Sequence, residues 1–221
     1  MGIQIQGNSG TIVEVDGTTF RTVRVTCRPV EYGALGFYRV SLLSGNMAAG
    51  LVAASEIFQI RWSNSSILAL VWGISIDSFG SGGAAFAGGF GNVNLTIARN
   101  WSADGSGGAV ATLTQNNNKL RSSMGTSLMG TVRISTTAAL GAGTKTLDAR
   151  PFAQIGLALS TFTYNQFTYP VLVMYGNLEE KGNPSPIVLA NNEGIVGRAT
   201  VTANGTWQFG MTVVWAEVTS Y

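Results

Sequence analysis

The chain reads as all-β, a jelly-roll-like β-sandwich preceded by an N-terminal β-hairpin arm. Three observations predict it. Apolar residues recur with a period of two, the signature of half-buried strands. The 29 glycines, with many Ser, Thr and Asn, cut the chain into short runs of strand length. Only two short stretches, 47–56 and 119–129, qualify as helical candidates. Eight or so strands over roughly 165 residues, separated by Gly/Asn/Ser turns, suit a two-sheet sandwich, with the jelly roll its leading version.

In chain order, Ile12–Val15 and Thr18–Cys27 flank Asp16-Gly17, a dipeptide that favours a tight hairpin turn because both positions tolerate positive φ. Pro29 ends the second strand. Residues 30–54, interrupted by Gly33, Gly36, Gly45 and Gly50, read as a connector, so an arm over 1–50 is expected ahead of a body over 51–221. The body opens with Phe58, Ile60 and Trp62 alternating with Gln59 and Arg61. Ile67–Trp72 is apolar on both faces, and periodicity alone leaves a central strand and a short buried helix open. Val93, Leu95 and Ile97 alternate with Asn and Thr as a half-buried strand should. Further strands are expected near 109–114, 131–135, 154–164 and 171–175. The segment Gly182–Pro186 holds two prolines and is a loop. The closing pair, Ile195–Val201 and Trp207–Val218, is joined by Asn204-Gly205 and reads as a hairpin. Trp207, Phe209, Met211, Val213 and Trp215 share one face of its second strand, which predicts their burial.

Composition limits the chemistry. There is no histidine, so the usual Ser-His-Asp and Cys-His nucleophiles and any His-containing zinc site are excluded. The lone Cys27 can form neither an intrachain disulfide nor a thiolate cluster and reads as a small buried apolar group. The eleven acids are scattered, and only Glu179-Glu180 are adjacent, in a loop that reads as a solvated tip with a calcium site as its alternative. Gly141–Thr146 has the composition of a phosphate loop, but Thr144 separates Gly143 from Lys145 and no strand-turn-helix context surrounds it. The glycine-rich stretch 80–91, carrying Phe86 and Phe90, reads as a loop that packs against a neighbour. Tyr164, Phe167 and Tyr169 fit core or interface aromatics better than a sugar platform. No catalytic, cofactor or metal residues are assigned, and no enzyme is expected.

The net charge of +2 sets up no field for nucleic acid or membrane. Arg21, Arg24, Arg28 and Arg39 are nearly cancelled by Glu14, Asp16 and Glu31, so pairing with acids of an adjacent subunit is expected instead. Charged residues are 11% of the chain, against about 25% in ordinary domains, while 45% are apolar. Such a surface predicts extensive contacts between subunits. The N-terminus has neither a signal peptide's basic and apolar regions nor a myristoylation motif, since Gln6 stands where Ser or Thr is needed.

Glu56–Trp62, Lys119–Ser127, Asn191–Val196, Gly205–Gly210 and Trp215–Val218 together resemble a group of mostly uncharacterised structural proteins of tailed bacteriophages, over residues from about 50 to the end. The resemblance implies a virion component, assembled from protein made in the bacterial cytoplasm, and no chemistry. The expected role is capsid-associated, as a cement, decoration or shell-forming protein, present as a homo-oligomer with a trimer preferred, and partnered by the major capsid protein. The alternative is a tail-fibre or spike module that recognises a host surface glycan or protein.

Overall fold

The computed structural model describes residues 15–16, 22–23, 36–48, 50–51, 53–81, 87–114, 118–120, 122–159, 172–175 and 186–220. The chain divides into two compact units, Met1–Glu31 and Tyr32–Tyr221. In the first, β1 (Val15–Asp16) pairs antiparallel with β2 (Thr22–Val23), Val15 opposite Val23 and Asp16 opposite Thr22. The hairpin is therefore present. Asp16 occupies a ladder position, so Asp16-Gly17 is not the two-residue loop expected.

The second unit is an antiparallel β-sandwich with no helix among the described residues. Both helical candidates are overturned. Residues 47–56 contain β4 (Met47–Ala48) and the start of β5 (Ser55–Trp62), and the described residues of 119–129 form a bridge, a turn and irregular chain. The presumed connector also carries β3 (Gly36–Leu43), which pairs with β15 (Thr206–Val218) from Gly36–Glu217 to Leu43–Gly210. Residues 36–48 thus belong to the body, and the arm ends some twenty residues earlier than the glycine pattern suggested. The glycines misled because they mark local bends in paired chain rather than a loose linker.

The remaining strands are β6 (Leu68–Ser81), β7 (Gly89–Ala103), β8 (Ala109–Val110), β9 (Thr131–Ile134), β10 (Thr144–Leu147), β11 (Ala153–Leu159), β12 (Leu172–Tyr175), β13 (Ile187–Leu189) and β14 (Glu193–Thr200). One seven-stranded sheet runs β10-β7-β14-β5-β9-β8, with β11 beside β10 on the same edge of β7. A six-stranded sheet runs β12-β6-β15-β3, with β13 beside β12 on β6 and β4 beside β3 on β15. The pairing is nested along the chain. β3 pairs with β15, β5 with β14, β6 with β12 and β13, and β7 with β10 and β11.

Two sequence expectations change here. Ile67–Trp72 opens a strand, apolar on both faces because Ala69 and Val71 enter the core while Leu68, Leu70 and Trp72 pack in an outer cluster; the register slips between Trp215–Val71 and Val214–Gly73, so Trp72 is the extra residue of a bulge. Below the bulge Ala69 and Val71 face the core, and above it Ile74 and Ile76 do. The second change concerns β14 and β15, which lie in different sheets. Asn204-Gly205 does take positive φ at both positions, 63° and 79°, but turns the chain across the sandwich rather than within a ladder.

Between the sheets lies one core. Trp207, Phe209, Met211, Val213 and Trp215 supply one wall, and Phe58, Ile60, Trp62, Val93, Leu95 and Ile195 the other. All five expected β15 residues are buried, Trp215 stacking on Tyr38 with ring centroids 5.5 Å apart.

Candidate functional site

Polar side chains collect on the outer face of the seven-stranded sheet, where period-two alternation turns every second residue away from the core. Four groups stand there. Around β5 and β10, the Lys145 side chain is 2% exposed and donates to Glu56 Oε2 at 2.8 Å and to the Ala142 carbonyl. Its ammonium lies 4.6 Å from the centre of the Trp101 ring. The Gln59 amide donates to the same Glu56 oxygen at 2.5 Å and to the Gly141 carbonyl at 3.0 Å. This knot fastens the stretch once weighed as a phosphate loop. Lys145 is committed to Glu56 and the chain leads into a strand, so the stretch is a turn with an anchored end.

At the β5–β9 side, Arg61 pairs with Asp104 at 2.7 Å and also donates to Asn192, while Thr131 donates to the other Asp104 oxygen. Burial alone raises the Asp104 carboxyl, but the bonds from Arg61 and Thr131 and the charges of Arg61 and Arg133 outweigh it and hold it below its ordinary value. Arg99 joins Asp148 and Glu193 in a surface network. Exposed pairs of this kind add little stability.

The fourth group carries no ion pair. β7 places Phe90, Asn92, Asn94 and Thr96 on this face, and the ladders set Gln154 of β11 and Arg198 of β14 on either side of Asn94. Arg198 donates to Thr96 Oγ1 at 3.1 Å. Asn92 Oδ1, Asn94 Oδ1 and Arg198 Nε are buried without a partner. Phe90 is 70% exposed.

On the six-stranded sheet Glu217 is the buried charged residue among those described, 1% exposed. Its carboxylate accepts from Ser127 Oγ at 2.6 Å, from the Leu128 amide at 2.9 Å and from Trp215 Nε1 at 3.2 Å. Burial raises its carboxyl above the ordinary range, and these bonds offset only part of that. Tyr38 is pushed up to about 12 by burial and by the Glu217 charge. The bonds tie a strap, residues 122–129, to the sheet. Ahead of it, Asn118 and Leu120 pair with the edge strand β3 through Arg39 and Phe37. The sheet's outer face also holds a second apolar cluster of Leu70, Trp72, Ala216 and Val218.

Of the residues weighed from sequence, Glu179, Glu180, Tyr164, Phe167, Tyr169, Arg21, Arg24, Arg28 and Cys27 lie outside the described residues, as does 82–86 of the glycine-rich stretch. Arg39 is exposed on β3. Among the described residues, no three metal-ligating side chains come together. Sequence reasoning passed over the Asn94–Arg198 group. Its one signal was the Asn-x-Asn-x-Thr alternation of β7, which identifies a solvent face but not what stands beside it. No family model, curated protein or solved structure matches the chain.

Proposed function

We propose that this chain is a structural protein of a tailed-bacteriophage virion, capsid-associated and acting by oligomeric assembly, with no catalytic role. The observation that carries the reading is the nested pairing of its strands. With β3 and β4, β10 and β11, and β12 and β13 each taken as one arm, first with last, second with last but one, and so inward through four pairs is the order made by wrapping one antiparallel ribbon around a core. That order supports a jelly-roll reading, an architecture recurrent in viral capsid and lectin domains. β8 and β9 widen one sheet beyond β5, and residues 1–31 precede the wrapped ribbon. The low charge and the stretches resembling phage structural proteins support the same conclusion. The hairpin unit serves as the arm exchanged between neighbouring subunits, a trimer being the preferred assembly.

Quantitative mass spectrometry of purified particles tests it. A copy number comparable to that of the main shell protein is expected. A handful of copies per particle would favour the second reading, a fibre or spike module, which the exposed Phe90 beside unpaired polar groups independently favours. Absence from particles would overturn both.

A further inference from the structure

The Phe90–Arg198 face joins an exposed ring to an arginine without a carboxylate partner. Elsewhere on this sheet Lys145, Arg61 and Arg99 each meet a carboxylate, and Arg133 meets the Gly107 carbonyl. Arg198 stands opposite Glu56 in the β14–β5 register, but the Glu56 carboxylate is occupied by Lys145 and Gln59. Among the described residues no acid lies within ion-pair distance of Arg198. An arginine held by one hydroxyl and lacking a counter-charge retains donors in the geometry that takes a carboxylate in two parallel bonds. The adjoining amides are incomplete too. Asn94 is 8% exposed, and neither its Oδ1 nor that of Asn92 has a donor.

Phe90 supplies the apolar half. It is the most exposed large hydrophobic residue among those described. One side of its ring is seated over β11 at Gly156, where a Cβ would come within 2.4 Å of the ring. Glycine is therefore required at 156 for the ring to lie down on the sheet, and the opposite side of the ring is left facing outward. Gly156 is opposite Asn92, and Arg198 is opposite Asn94 on the other flank of β7. Two strand spacings across and two residues along separate Gly156 from Arg198, about 12 Å.

We propose that this face binds an acidic saccharide of at least two pyranose units, one bearing a carboxylate. The C–H face of one unit packs on Phe90. The exposed Gln154 amide offers a donor and an acceptor to hydroxyl groups, which have the same double capacity. The carboxylate of the next unit pairs with Arg198. A nucleic-acid strand fits worse, because it needs a track of cations and successive stacking platforms, whereas this face has one of each. A protein partner would be expected to find an apolar centre with a polar rim, and here the centre is amide and guanidinium. The site holds whether the chain sits in a shell or on a fibre, so its failure would leave the assembly reading intact.

The test uses the full chain, with oligogalacturonides and glucuronate-containing disaccharides as probes and the matching neutral galactose and glucose oligomers as controls. Titration is followed by the side-chain amide signals of Asn92, Asn94 and Gln154 and by calorimetry. Acidic probes are expected to shift those amides, with affinity falling as salt rises. Phe90→Ala should weaken binding roughly tenfold or more, the effect of about 1.4 kcal/mol, with an unchanged melting temperature because the ring is exposed. Arg198→Gln should abolish the preference for acidic over neutral probes. No amide shift at millimolar probe, equal binding of acidic and neutral sugars, or full affinity in Phe90→Ala would each overturn the proposal.

Discussion

Glu217 ends a strand whose other inward groups are Trp, Phe, Met and Val, and its carboxylate is enclosed by Ser127, Leu128 and Trp215. Because burial raises its folded pKa above the unfolded value, the folded state binds more protons between the two. Its contribution to stability is then greatest below the unfolded value and is lost as pH rises through the folded one. Wild type should therefore gain melting temperature relative to Glu217→Gln as pH falls from 8 to 5. A constant difference across that range would show that Glu217 does not titrate there. Its neighbour Trp215 is fully buried against Tyr38, so Trp215→Ala should cost about 3–5 kcal/mol in a denaturant melt. These two residues also mark what sequence could show. Alternation identified Trp215 and its four partners, because a row of large apolar groups has only one sensible place. Glu217 continues the same row, and nothing local announces its burial. Its partners come from a strap about ninety positions away along the chain.

At the level of the elements, the long alternating strands were readable, whereas β3, β4, β10 and β13 and most strand partners were not. The Asn204-Gly205 geometry was foreseen correctly from residue chemistry, and the turn nonetheless joins strands of two sheets. Local φ preference sets how sharply a chain reverses, whereas the sheet each strand enters is decided by neighbours far away in sequence. The bulge at Trp72 is similar: a shift of register that only the opposing strand reveals. The knot at Glu56, Gln59 and Lys145 joins β5 to the turn before β10 and yields a test at this scale. Breaking a buried pair leaves an uncompensated charge, while removing both partners does not. Lys145→Met alone should destabilise by about 3–5 kcal/mol, and adding Glu56→Gln should recover a substantial part, giving a clear coupling in a double-mutant cycle. Additive effects would mean that the two side chains act independently.

For the molecule as a whole, the boundary between arm and body is where sequence and structure part furthest. The glycines of 33–50 suggested a linker, but β3 and β4 line the edge of β15. Deleting residues 1–31 should leave a soluble body with an undiminished cooperative melt. Deleting 1–50 should give an aggregating or unfolded product, since it strips one flank from the central strand of a sheet. Equal stability of the two truncations, measured by thermal melting, would return β3 to the arm. The partnership of β3 with β15 has a bearing on synthesis as well. The ladder joins residues 36–43 to 210–217, so β3 must wait for a strand far away along the chain. On the ribosome, β3 and β6 have emerged long before the strand that separates them exists. Contacts of such long sequence separation fold slowly and leave apolar edges unpaired in the interval. The completed sheet is closed by β15, and a nascent chain arrested before Thr206 would carry two strands waiting for one partner, a natural substrate for chaperones.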